Sequence, residues 1–340
     1  MPLSIHYISF PNIGIGEMKI NTNAIEIGSF KIAWYGIIIT FAMVCAILYV
    51  WARFKENKLS SDDLLDLALA TVVSGVIGTR LYYVIFSFED FLVTNKGGFF
   101  ANLGATLYEI IAVWDGGLGI YGGIIAGGIA AVIVAKRKKI GMLRILDFLA
   151  PAVMLAQSIG RWGNFFNAEA HGTETDIFLK MGIREDGIFT FTRYYHPTFL
   201  YESLWNIVGF LAIWLIFVKL EKTKKLHKFN GQIFYTYVIW YGIGRAWIEG
   251  LRTDSLWLIK DVIRVSQLVA ILSALVAAGL MAYTFVMLYK GKENILVQRV
   301  GAKTLEPTCE AGEEVAEPKE EKADVDDAKK EETEENGEDN

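Results

Sequence analysis

The sequence predicts an all-α integral membrane protein with about seven transmembrane helices, its N-terminus outside, its C-terminus cytoplasmic and a small extracytoplasmic cap. Three observations predict it. Several windows of about 20 residues carry almost no charge, which is the length needed to cross a bilayer core. Lys and Arg gather in alternate loops. The acidic residues crowd into the end of the chain, where residues 303–340 hold 16 Asp and Glu against 5 Lys. A net charge of -5 for the whole chain, against -11 for that tail, leaves the rest at +6. The hydrophobic fraction of 53% does not decide the class, because soluble proteins are near half apolar as well.

Taken in order, residues 1–30 mix polar and apolar positions and include Pro11, Gly14, Gly16 and Glu26. They read as an extracytoplasmic or interfacial lead-in and not as the apolar region of a cleaved signal peptide. Residues 31–290 form the transmembrane domain, with spans near 31–52, 64–88, 116–135, 144–164, 198–219, 231–250 and 263–289. Basic loops follow the first, third, fifth and last spans (RFKENK, KRKKIGMLR, KLEKTKKLHK and the stretch with Lys290, Lys292 and Arg299), whereas residues 89–114 hold only Lys96. The positive-inside rule makes the basic loops cytoplasmic. The long segment 165–197, with Arg184, Glu185, Asp186 and Arg193, then lies outside and supplies the cap. Residues 291–340 read as a cytoplasmic, disordered acidic tail, since they have too few large apolar groups to offset chain entropy. Cys45 in the first span and Cys309 in the tail have no reason to pair.

Ionisable groups inside spans are costly unless they face a cavity or a partner. Most of those in this chain sit toward one side of the membrane. In GRWGNFFNAEAHG (160–172), Gln157, Arg161 and Asn164 share a helix face by their 4-then-3 spacing, with Asn167 and Glu169 just beyond. Arg161 offers a planar fork suited to phosphate or carboxylate; a snorkelling arginine beside capping asparagines is the plainer account. In YGIGRAWIEGLR (241–252), Arg245, Glu249 and Arg252 fall on one stripe, either as a self-neutralising pair or as a net positive face. YYHPTFLYES places His196 before a helix-starting Pro197, with Glu202 embedded in the following turns beside Tyr201. WDGGLGIYGGIIAGG is rich in small-xxx-small spacings that bring helices close; Asp115 and Tyr121 either border a lipid-sized groove or belong to plain packing. Trp34 and Tyr35 fit an aromatic belt. Together these residues form a basic, amide-rich patch at headgroup depth, suited to an anionic membrane lipid. No metal-ligand cluster, nucleotide motif or nucleic-acid signature stands out, so no cofactor and no nucleic-acid partner is expected, and a monomer is the default.

The blocks WYG (34–36), WDGGLGIYGG (114–123), DFLAP (147–151), GRWGNFFNAE (160–169), HPTFLYE (196–202) and YGIGRAWIEGLR (241–252) resemble, in matching order, those of the prolipoprotein diacylglyceryl transferase family of bacterial membrane enzymes. The resemblance spans roughly residues 25–290. It implies transfer of the diacylglyceryl group of phosphatidylglycerol to the lipobox cysteine of a preprolipoprotein, forming a thioether and releasing glycerol phosphate, with the active site toward the extracytoplasmic leaflet of the cell membrane. It also implies that Arg161 and Arg245 hold the phosphate, that Asn164 and Asn167 position the headgroup, that Glu169 and Glu249 orient the arginines or accept from the glycerol, and that Tyr35 lines the lipid access route. Glu202 would wall the pocket. One departure concerns Tyr121, which stands where many relatives carry histidine, and a phenol is a weak base at neutral pH. Tyr121 then serves by hydrogen bonding, or Glu169 takes the proton, or the thiol ionises unaided, a few per cent being thiolate at pH 7. A transporter of organic anions is the competing class, disfavoured by the lack of repeated halves and by charges gathered at one leaflet instead of the midplane. An inactive scaffold is a third.

Overall fold

The computed structural model describes residues 5–28, 30–57, 59–93, 97–113, 117, 119–185, 192–220, 226–253, 257–259, 262–292, 297 and 299. They belong to one compact unit, Met1–Leu305. The acidic tail, Asp115 and Asp186 lie outside the described residues.

The body is helical. Its helices are α1 Trp34–Glu56, α2 Ser61–Phe86, α3 Phe99–Ile111, α4 Ile120–Arg137, α5 Met142–Phe166, α6 Thr198–Trp214 (continued by a π turn, Leu215–Lys219), α7 Gln232–Leu251 and α8 Val265–Tyr289. A helix occupies each of the seven expected segments. Five of them, Trp34–Glu56, Ser61–Phe86, Met142–Phe166, Thr198–Lys219 and Val265–Tyr289, are long and apolar enough to cross a membrane, and the chain is a multi-pass membrane protein. Local chemistry sets several ends. The Ser60 side chain accepts from the Asp62 amide at the start of α2, with Asp62 and Asp63 in the first turn, where an acid complements the helix dipole.

Packing follows the small residues and the aromatics. α2 lies against α4 so closely that a Cβ on Gly78 or Gly122 would strike the other's carbonyl oxygen. The glycine run therefore does bring two helices together. Between α6 and α7, Trp205 and Trp240 stack at 4.6 Å. Each indole N–H donates to the other residue's carbonyl at 3.0 Å. α5 is flanked by α1, α6 and α7.

The chain is mostly helical and not all-α. Strands β1 Ile5–Phe10, β2 Ile15–Asn21, β5 Met181–Glu185 and β6 Arg193–Tyr195 form an antiparallel sheet in the order β2-β1-β5-β6. Two further hairpins pair β3 Asn23–Ile27 with β4 Phe30–Ala33, and β7 Trp257–Ile259 with β8 Ile263–Arg264. In the sheet, His6 faces Glu185 and Ile8 faces Ile183 across the β1–β5 pairing. The lead-in and the segment 165–197, expected as separate stretches, are thus one structure. Its apolar face (Ile8, Phe10, Ile20, Met181, Ile183) packs on Phe165, Phe166 and Phe199, at the end of α5 and the start of α6. Helix α3, inside a stretch expected to be a connecting segment, is the other addition. Arg80 of α2 holds its C-terminus, donating to the carbonyls of Glu109, Ile110 and Ala112, and to that of Gly117.

Candidate active site

Three helix ends meet where α5 and α7 finish and α6 begins. Antiparallel packing of α5 and α6 sets the local register: Ser158 donates to the Ser203 carbonyl at 2.9 Å and Ser203 to the Ser158 carbonyl at 2.8 Å. One turn farther along α5, Arg161 Nη2 pairs with Glu202 Oε2. From α7, Arg245 Nη1 reaches Glu202 Oε1 at 2.6 Å and Arg245 Nη2 reaches Glu249 Oε2 at 2.6 Å. Arg252 Nη1 lies 3.7 Å from Glu202 Oε1. Glu202 is 4% and Glu249 2% exposed, and carboxylates buried this deeply need such partners around them. Three guanidiniums against two carboxylates leave this core at +1, a match for one anionic phosphodiester.

Hydrogen bonds extend the cluster outward. Arg161 Nη1 donates to Asn164 Oδ1 at 3.3 Å. Asn164 Nδ2 and Asn167 Nδ2 both donate to Glu169 Oε1, at 2.9 and 3.2 Å. Glu169 is exposed, and the alanines on either side of it hold left-handed backbone, Ala168 at φ 51° and Ala170 at φ 54°. That conformation costs a side-chain-bearing residue on the order of 1–2 kcal/mol, and such strain tends to collect at working sites. The backbone there is fixed from outside: Thr198 Oγ1 donates to the Ala170 carbonyl, the Gly172 amide to the His196 carbonyl at 2.9 Å, and the Thr173 amide to the Leu251 carbonyl at 2.8 Å. Burial pushes the His196 imidazole below its ordinary value, and its Nδ1 lies 3.3 Å from Tyr201 Oη.

Six of the expected residues, Arg161, Asn164, Asn167, Glu169, Glu202 and Glu249, therefore join Arg245 in one unbroken chain of polar contacts. Tyr35 packs its ring against Gly163, where a Cβ would lie 2.8 Å from the ring. Tyr121 is placed differently. It is 57% exposed and its ring sits 6.2 Å from that of Tyr82 on α2. Arg252 joins the core as well, from the stripe that its i, i+7 spacing shares with Arg245. Below the core, Gln157 donates to Tyr237 Oη at 3.2 Å. On α7, an apolar groove of about 530 Å³ runs between this helix and α8, lined by Gly242, Ala246, Trp247 and Ala274 among others. Among the described residues no group of three or more His, Cys, Asp or Glu is placed to hold a metal.

Three arginines gathered on buried glutamates at the helix ends of a multi-pass membrane protein suit an anionic lipid headgroup. The comparisons narrow that class. The sequence matches the prolipoprotein diacylglyceryl transferase family over residues 22–283. Among its relatives, the phosphatidylglycerol–prolipoprotein diacylglyceryl transferase of Listeria innocua is 39% identical over 277 residues, covering 80% of this chain and 92% of its own length. Those of Streptococcus pneumoniae and Staphylococcus aureus are 41% and 40% identical, covering 80% of this chain and 94% and 91% of theirs. The chain belongs to the prolipoprotein diacylglyceryl transferase family.

Proposed function

We propose that the chain transfers the diacylglyceryl group of phosphatidylglycerol to a prolipoprotein, the first step of lipoprotein maturation. The observation that carries the reading is the convergence of Arg161 and Arg245, from two different helices, on the single buried carboxylate of Glu202. The acceptor is the thiol of the lipobox cysteine. Its sulfur attacks the glycerol carbon bearing the phosphate; the C–S bond forms, the C–O bond breaks, and the electron pair leaves with glycerol phosphate. The departing group gains a negative charge, so donors fixed around it favour the transition state over the bound lipid. Arg161 and Arg245 supply those donors, Arg252 adds charge, and Glu202 and Glu249 hold the forks in place. Asn164 and Asn167 position the headgroup and hold Glu169. Glu169 takes the thiol proton: it is the exposed carboxylate of the network. Tyr121 borders the lipid side as a hydrogen-bond donor, and Tyr35 lines the lipid access route.

The chain crosses the bacterial cell membrane seven times, α4 and α7 included, with its N-terminus outside and the basic loops and the tail from residue 291 in the cytoplasm. Pairing of β1 with β5 supports this, because it puts the lead-in and the segment 165–197 on one side, as four crossings between them require. The sheet then caps the site from outside, and the enzyme works as a monomer. Arg161→Ala and Arg245→Ala should each lower turnover by about 10²-fold or more, the scale set by loss of a stabilising donor, with membrane insertion intact. The assay is the mass shift of a lipobox peptide in vesicles containing phosphatidylglycerol. Retained turnover in both variants would remove the clamp.

A further inference from the structure

Asp147 of α5 is 3% exposed and takes no part in the chemistry above. It lies at the far end of the bundle from the arginines. Its Oδ2 accepts from the Gly231 amide at 2.6 Å and its Oδ1 from the Phe234 amide at 2.9 Å, while His227 Nε2 sits 3.1 Å from Oδ2. These amides are donors that a helix start leaves without intrahelical partners. Gly231 occupies the cap position of α7 in left-handed backbone, φ 95°, and has no side chain with which to cap it. An acid on one helix therefore caps another, and its charge complements the positive end of α7.

The spacing gives this contact its meaning. Arg161 is 14 residues beyond Asp147, and Arg245 is 14 residues beyond Gly231. At a rise of 1.5 Å per residue each arginine stands about 21 Å above the latch. α5 and α7 run in the same direction, as the intermediate bond from Gln157 to Tyr237 also requires. We infer that Asp147 is a positioning residue: by pinning the base of α7 to α5 it sets the axial register that brings Arg161 and Arg245 level on Glu202. A slip of one residue would shift Arg245 by about 1.5 Å and turn it by about 100°, taking its fork off Glu202. Misplacement by about 1 Å is enough to cost a reaction on the order of 10²-fold. The inference rests on the reading of the two arginines as the phosphate clamp.

The experiment compares full-length Asp147→Ala and Asp147→Asn with the arginine variants, measuring kcat and KM for phosphatidylglycerol together with helix content and monodispersity in detergent. Asp147→Ala should fold yet lose about tenfold or more in kcat, with a smaller change in KM, because the register matters most for the departing dianion. Asp147→Asn keeps a carbonyl acceptor for one of the two amides and should recover part of the loss. A loss confined to the yield of folded protein, with wild-type kcat per folded molecule, overturns the inference. If Asp147→Ala does not fold, Asp147→Asn decides: wild-type kcat in that variant is equally fatal. Turnover retained by Arg161→Ala and Arg245→Ala would instead sink the clamp reading itself.

Discussion

Glu202 does the most with the least chemistry: one carboxylate ties Arg161, Arg245 and Arg252 into a single body. Without it, mutual repulsion would drive the guanidiniums apart in a medium that screens poorly. Glu202→Gln removes the charge and keeps the shape. Breaking a buried pair in this way costs about 3–5 kcal/mol, so the variant should melt well below the wild type in detergent and lose transfer. Added glycerol phosphate should restore part of the melting temperature, since an anion can stand in for the lost carboxylate; a variant as stable as the wild type without it would show that the arginines do not need Glu202. At this scale much of the site was legible. Helical spacing alone put Gln157, Arg161 and Asn164 on one face, and an embedded glutamate at 202 read as a pocket wall. What no spacing could show was that the partner of Glu202 lies on two other helices at once, or that Asp147 caps a helix it does not belong to.

The helices themselves were legible because long apolar runs write them plainly, whereas the shorter elements depend on distant partners. Strand β1 is six residues long and takes its shape from β5, more than 170 positions away. Helix α3 has only 13 residues, too few to span a bilayer core at about 20, and Arg80 of another helix holds its end. The α2–α4 pair bears on the one departure from the family's pattern. Tyr121 begins α4 against Tyr82, while the close glycine contacts fix the helix backbone behind it. In the proposed mechanism Glu169 takes the proton and Tyr121 acts only through its hydroxyl. Tyr121→Phe should therefore cost less turnover than either arginine substitution, on the order of tenfold or below, as for one modest hydrogen bond. Complete loss in that variant, measured in the same lipobox assay, would make Tyr121 central.

Across the whole molecule, the sheet and the helix ends act together, and His196 sits at their junction. Because burial lowers its pKa, this imidazole takes up a proton less readily in the folded state than in the unfolded chain, where it titrates near pH 6.5. Its contribution to stability is complete above that pH and declines as pH falls below it. Wild-type protein should thus lose more melting temperature between pH 7.5 and 5.5 than His196→Gln does; parallel curves for the two would dismiss the effect. The join between β1 and β5 has a further result for how the protein is made. At about 5–20 residues per second, the first strand leaves the ribosome roughly ten to forty seconds before its second neighbour exists. In the proposed topology α1, α2, α4 and α5 cross the bilayer during that wait, and an odd number of crossings would strand the two halves of the sheet in different compartments. Closure of the sheet thus certifies correct threading, and a mis-threaded chain would carry an open strand edge that proteases can find.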